Sequence, residues 1–273
     1  SAAASVRARL AEAWACGLLD QADASRAALD RAEQDAASLA DHGLLGDLHL
    51  VAAVTARLQL DGAAESARLA LAHAAYLRSG EGPAGHRMQL TEAMMARSEA
   101  LRGGEFDARW QQVFPPDQVP EHRDVAAHVL YCHAARVFAS GDYARTMQLY
   151  RAAAAAASDC GLRSLQSALC GLMATLAGMQ GNPAGAMDYI EMALEVLREA
   201  GHVAERATLQ IYLAQTLIEL KHLDLARQML DQAQDASLRV AENVRHWTFC
   251  GSRAWLERRS ENWAASLAWA ERG

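Results

Sequence analysis

Gly141, Gly181, Lys221 and Glu261 stand 40 residues apart, and each opens the same short pattern. After Gly141-Asp142-Tyr143 come a small residue at Thr146, a large one at Tyr150 and alanine at Ala153. The corresponding residues are Ala186, Ile190 and Ala193 after Gly181-Asn182-Pro183, and Ala226, Leu230 and Ala233 after Lys221-His222-Leu223. After Glu261-Asn262-Trp263 they are Ser266, Ala270 and Gly273. A fixed period of this length marks a helical repeat array. Spacings of three and four put the three signature residues on one helix face, where they can pack against a neighbour.

The pattern extends upstream. A helix is predicted over 5–19, with Leu10, Trp14 and Leu18 on one face, followed by a turn at Asp20–Asp23. The next helix carries Ser25, Leu29 and Ala32 and ends near Asp41-His42-Gly43, where Gly43 suits the left-handed position after a helix. In the second unit a helix over 46–60 meets a turn at Asp61-Gly62, and Ala67, Leu71 and Ala74 repeat the signature. Gly80-Glu81-Gly82-Pro83 then breaks the chain. The third unit is irregular. Its first helix spans 88–101 and its turn is Gly103-Gly104, but Phe106, Trp110 and Val113 begin a second helix that Pro115-Pro116 stops early. Residues 114–122 are therefore the candidate hinge or ligand-facing loop. Regular units follow at 124–140 with 143–159, 163–180 with 183–200, and 203–220 with 223–238. A seventh begins near Asn243 and is still in its second helix at Gly273, so residues 1–273 are expected to form one array with a truncated last repeat.

Small residues recur for a packing reason. Seven positions before each turn stand Thr55, Ala134, Ala174, Ala214 and Ala254, where the two helices of a unit approach most closely. Arg97 is the exception, and it lies in the irregular unit.

Composition narrows the function. Alanine supplies more than a fifth of the chain, and no run shows strand-like alternation, so the class is all-α. A net charge of −7 without clustered basic residues argues against nucleic acid as a partner. No apolar run approaches the ~20 residues of a membrane span, so no membrane partner is expected. Ser1–Ser5 does not have the character of a signal peptide, and five scattered cysteines suit a reducing compartment, which points to the cytoplasm. There is no phosphate-binding glycine loop, no HExxH and no GxSxG, so neither enzyme activity nor a cofactor is expected. His128 and Cys132 stand one helical turn apart, but no third ligand is near in sequence and no metal site is expected.

Thr146/Tyr150/Ala153, Ala186/Ile190/Ala193 and Ala226/Leu230/Ala233, each behind a tight turn, resemble the tetratricopeptide repeat (TPR). The resemblance covers almost the full length. It departs from the family in its 40-residue period, in the lack of a closing proline, and in having Leu130, Cys170, Gln210 and Cys250 where the family has a large aromatic. Long repeats of this kind are similar to the sensory segments of bacterial signalling proteins. The resemblance implies a right-handed α-solenoid that binds a protein or peptide in a concave groove lined by the first helices. The resemblance further implies that the array is a segment of a larger diguanylate cyclase or transcription regulator, the alternative being a scaffold without an effector. The groove candidates are His49, Met94, Met95, His128, Tyr131, Phe138, Tyr212, Gln215, Trp255 and Arg258. Their mostly apolar character fits a partner helix, or a segment of the protein itself. Trp263 and Trp269 on the unfinished last repeat are expected to meet either further repeats or a second copy, in self-association through that end.

Overall fold

The computed structural model describes residues 2–18, 22–37, 40–58, 61–101, 108–200, 203–238 and 244–273. The expected turns at Asp20 and Gly104, and Phe106, lie outside them. Among the described residues there are fourteen helices and no strand. They fall into two compact units, Ser1–Gly161 and Leu162–Gly273.

The first unit contains α1 (Ala2–Leu18), α2 (Ala22–Ala37), α3 (His42–Leu58), α4 (Gly62–Arg78), α5 (His86–Leu101), α6 (Ala108–Val113), α7 (Arg123–Ala139) and α8 (Tyr143–Asp159). Three hairpins dominate it: α1 with α2, α3 with α4, and α7 with α8. Helix α5 packs against α4 and α7 instead. The second unit contains α9 (Arg163–Met179), α10 (Pro183–Ala200), α11 (Val203–Glu219), α12 (Leu223–Leu238), α13 (Val244–Arg259) and α14 (Trp263–Ala270). Each consecutive pair is a hairpin, and α9, α11 and α13 lie side by side.

The turns explain the period. Gly141 and Gly181 have φ of 82° and 74°, and Lys221 and Glu261 adopt the same left-handed conformation. At Gly181, Lys221 and Glu261 the following amide reaches back to the carbonyls of Ala177, Leu217 and Glu257, each at 2.9 Å. This closes the carbonyl end of the first helix by the Schellman arrangement. The next residue then caps the second helix. Asp142 accepts from the amide of Arg145 at 3.0 Å, and Asn182 accepts from that of Gly185 at 3.0 Å. Pro183 occupies the first turn of α10, where a missing amide proton costs nothing.

Alanine sits where the helices touch. Ala134, Ala174, Ala186, Ala214 and Ala226 have no exposed surface. Where serine replaces alanine, the hydroxyl spans the hairpin. Ser25 donates to the carbonyl of Ala13 at 2.7 Å, and Ser266 to that of Ala254 at 2.8 Å, the same 12-residue separation.

Three sequence expectations need correction. Gly43 lies inside α3, and the left-handed residue is Ala40 at φ 50°; Asp41 caps α3 by accepting from the Leu44 amide at 3.0 Å. The capping aspartate therefore starts the helix four residues before Gly46. In α4 the signature is shifted by two. Asp61 is the cap, so the buried face carries Glu65, Leu69 and Ala72, while Leu71 is exposed. By the same register the small residue of α3 is Ala53, which is fully buried, rather than Thr55. Glu65 escapes the small-residue rule because Arg57 neutralises it at 3.7 Å.

Candidate functional site

Within the second unit the first helices form a layer joined by polar rungs. Thr175 Oγ1 on α9 lies 3.3 Å from Thr216 Oγ1 on α11, and Gln215 Nε2 donates to Ser252 Oγ on α13 at 2.8 Å. Tyr212 stands one turn before Gln215, and Trp255 one turn after Ser252. The rungs thus bring Tyr212, Gln215 and Trp255 onto neighbouring turns. Tyr212 is 49% exposed, Trp255 and Gln215 are half-buried, and Arg258 is exposed. An open pocket of about 490 Å³ adjoins this strip at the turn end, lined by Lys221, Leu223, Arg258, Arg259, Glu261 and Trp263. Three cations face one carboxylate there, and Trp263 offers an exposed aromatic surface.

The candidates in the first unit are more deeply placed. Met94 is buried against Ala53 and Leu69, with Met95 packed beside it. His128 and Tyr131 are buried on α7. Tyr131 stacks at 6.4 Å from Tyr150, whose hydroxyl pKa burial pushes up to about 12. His49 is half-buried, 3.3 Å from Arg68, which pairs with Glu33; burial first, and Arg68 second, hold the His49 imidazole below its ordinary value. Phe138 is exposed and leans on Tyr143 at 5.6 Å, at the hairpin turn. Phe138, His49 and Met95 therefore offer some side-chain surface, whereas Met94, His128 and Tyr131 lie in the interior.

Sequence reasoning missed a set of buried charges. Glu65, Glu92 and Arg97 are each less than a tenth exposed. Arg57 pairs with Glu65, and His73 Nε2 lies 3.3 Å from Glu92 Oε1. Arg97 was visible as the failed alanine position; its guanidinium carbon stands 5.2 Å from the centre of the Tyr131 ring. His128 is held well below its ordinary value by burial, then by the charges of Arg97 and Arg57. Burial likewise pushes the Cys132 thiol up to about 12. A thiol this hard to ionise is a poor nucleophile. Among the described residues no group of three or more metal-ligating side chains comes together. Likewise, no described helix is long and apolar enough to cross a membrane.

No protein-family model matches the chain, and a search of curated proteins finds no match either.

Proposed function

We propose that the chain is a non-catalytic protein- or peptide-binding module. In this reading it is a right-handed α-solenoid of TPR-like repeats, serving in the cytoplasm as the sensory or regulatory segment of a larger bacterial signalling protein. The effector would be a diguanylate cyclase or a DNA-binding domain. The observation that supports it is the strip of Tyr212, Gln215, Trp255 and Arg258 on adjacent helices beside the cationic pocket. Aromatic side chains and arginine on a stiff support are the common anchors of interfaces. With Lys221, Arg258 and Arg259 at one end, the strip suits an acidic segment carrying an apolar or aromatic residue. A displayed library of short peptides tests this. The enriched sequences should be acidic, should protect α11 and α13 from hydrogen exchange, and should lose binding to Tyr212→Ala and Arg258→Glu. Protection confined to α10 and α12 sinks the reading.

A second reading, a standalone scaffold that self-associates, is favoured by α14. That helix has no buried residue, and Trp263 and Leu267 are 65% and 61% exposed. Sedimentation should then show concentration-dependent dimers that Trp263→Glu abolishes; a strict monomer at high concentration refutes it.

A further inference from the structure

Along one flank, each first helix of the second unit carries the same two seats for its neighbour. On α9 they are Gly171 and Gly178. A Cβ on Gly171 would lie 3.3 Å from Leu209 Cδ2, and one on Gly178 would lie 3.6 Å from Leu220 Cδ2. Two leucines eleven positions apart, on and just after α11, thus rest on α9, and the two helices run parallel. One period later the seats are Ile211 and Ile218, and with α13 beside α11 both are buried. On α13 they are Gly251 and Arg258, and both are exposed. A Cβ on Gly251 would meet nothing within 4 Å.

The second helices show the same contrast. Arg227 on α12 is half-buried, pairs with Glu257 of α13 and donates to Ser260 Oγ at 3.3 Å. The corresponding residue of α14 is Leu267, 61% exposed. Ile190 and Leu230 are buried where Ala270 is exposed. The place that α11 takes beside α9 and α10, and α13 beside α11 and α12, is therefore open beside α13 and α14 among the described residues.

Charge narrows what fits there. The seat that holds Gly178 and Ile218 in the other helices holds Arg258, which lines the pocket at the turn end together with Lys221 and Arg259. Arg227 is neutralised by Glu257, whereas none of these three cations takes part in an ion pair among the described residues. A helix entering as α11 does would bring its C-terminal turn, with its partial negative charge, to this end.

We propose that the flank of α13 and α14 docks an amphipathic helix of a partner protein, parallel to α13, with leucine over Gly251 and an acidic residue eleven positions later against Arg258. Eleven residues make three helical turns, so both side chains lie on one face. Leu267 then meets the apolar stripe of the incoming helix. A second copy suits the face less, because it would set the same arginines of α13 against each other. Such docking presupposes the binding-module reading, but it places the acidic segment on the outer flank of α13 rather than across Tyr212.

The test uses the 273-residue chain and a fluorescent, alanine-based helical peptide of about 18 residues, long enough to hold a helix. It carries a leucine stripe and, eleven positions after the first leucine, glutamate. Saturable binding should protect α13 and α14 from hydrogen exchange, and lysine in place of the peptide glutamate should weaken it about ten-fold or more. Leu267→Glu and Gly251→Glu change exposed positions, so circular dichroism should stay that of the parent while binding falls about ten-fold or more. Tyr212→Ala should leave binding unchanged. Binding that depends on Tyr212 and survives Leu267→Glu overturns the docking and leaves the strip standing; the opposite pattern supports the docking and removes the strip. The proposal is also overturned if the peptide does not bind or if the lysine peptide binds equally well. Dimers of the free chain that Leu267→Glu dissolves in sedimentation overturn it too, by giving the face to a second copy.

Discussion

Lys221 and Glu261 share a left-handed backbone, φ 65° and 60°, at the turn position that Gly141 and Gly181 fill with φ 82° and 74°. A side chain in this conformation costs about 1–3 kcal/mol. Glycine avoids that cost but loses about 0.5–1 kcal/mol to the freedom of the unfolded chain. Glu261→Gly should therefore stabilise the protein by about 0.5–1 kcal/mol in urea unfolding, with Gly181→Ala destabilising it. Lys221→Gly should behave like Glu261→Gly while removing a cation from the pocket.

Gly46 carries the reverse expectation. It lies inside α3, where alanine would ordinarily gain about 1 kcal/mol. A Cβ there would lie 2.3 Å from the Tyr76 ring, which is fully buried and pinned by a 2.9 Å hydrogen bond from its hydroxyl to Asp47. Overpacking against so fixed a ring costs about 1–3 kcal/mol. Gly46→Ala should thus lower the unfolding midpoint despite the better helix former. In the background of Tyr76→Leu the same substitution should be neutral or stabilising.

Acid should weaken the first unit through its histidines. His128 and His133 are both held below the ordinary value of 6.5, burial being the larger cause in each. The unfolded chain binds protons at these groups first, so stability is full above pH 6.5 and falls as the pH drops below it. Urea midpoints measured from pH 7.5 to 5 in chloride buffer should show that decline. His128→Leu should flatten it, and a profile identical to the parent's would contradict the buried neutral imidazole.

The five cysteines should separate by reactivity. Cys160 is exposed and Cys16 half-buried, whereas Cys132, Cys170 and Cys250 are buried. Burial also pushes the Cys132 and Cys170 thiols up to about 12 and 11. Iodoacetamide at pH 8, followed by mass spectrometry, should label Cys160 first and Cys16 more slowly. The other three should react only after denaturation.

The repeats were legible wherever the local chemistry agreed with the packing. In α8 and α10 the cap, the small residue, the large residue and the alanine all fall in one register, α12 repeats the last three, and Thr146, Ile190, Leu230 and Ala233 are buried as expected. Helix α4 was misread because its alanines allow two registers and the true small position holds Glu65. Only the cross-helix partner Arg57 makes that choice intelligible. The candidate site was legible as helix positions but not as depth. Tyr212 and Arg258 reach solvent while Met94 and His128 do not; Met94 packs against Ala53 of α3 and Leu69 of α4. Arg97 was the useful anomaly: a charge at a position whose neighbours are alanine carries more information than any residue that obeys the rule.

The rungs between α9, α11 and α13 differ in kind from the contacts within each hairpin. Alanine against alanine fixes a hairpin at a single separation. A threonine pair at 3.3 Å or a glutamine–serine bond can instead swivel or exchange with water at little cost. The second unit should therefore deform anisotropically, its hairpins moving as stiff plates on compliant polar joints. A partner seated across Tyr212 and Trp255 would bridge such a joint, so occupancy could be transmitted as a change in curvature without any hairpin unfolding.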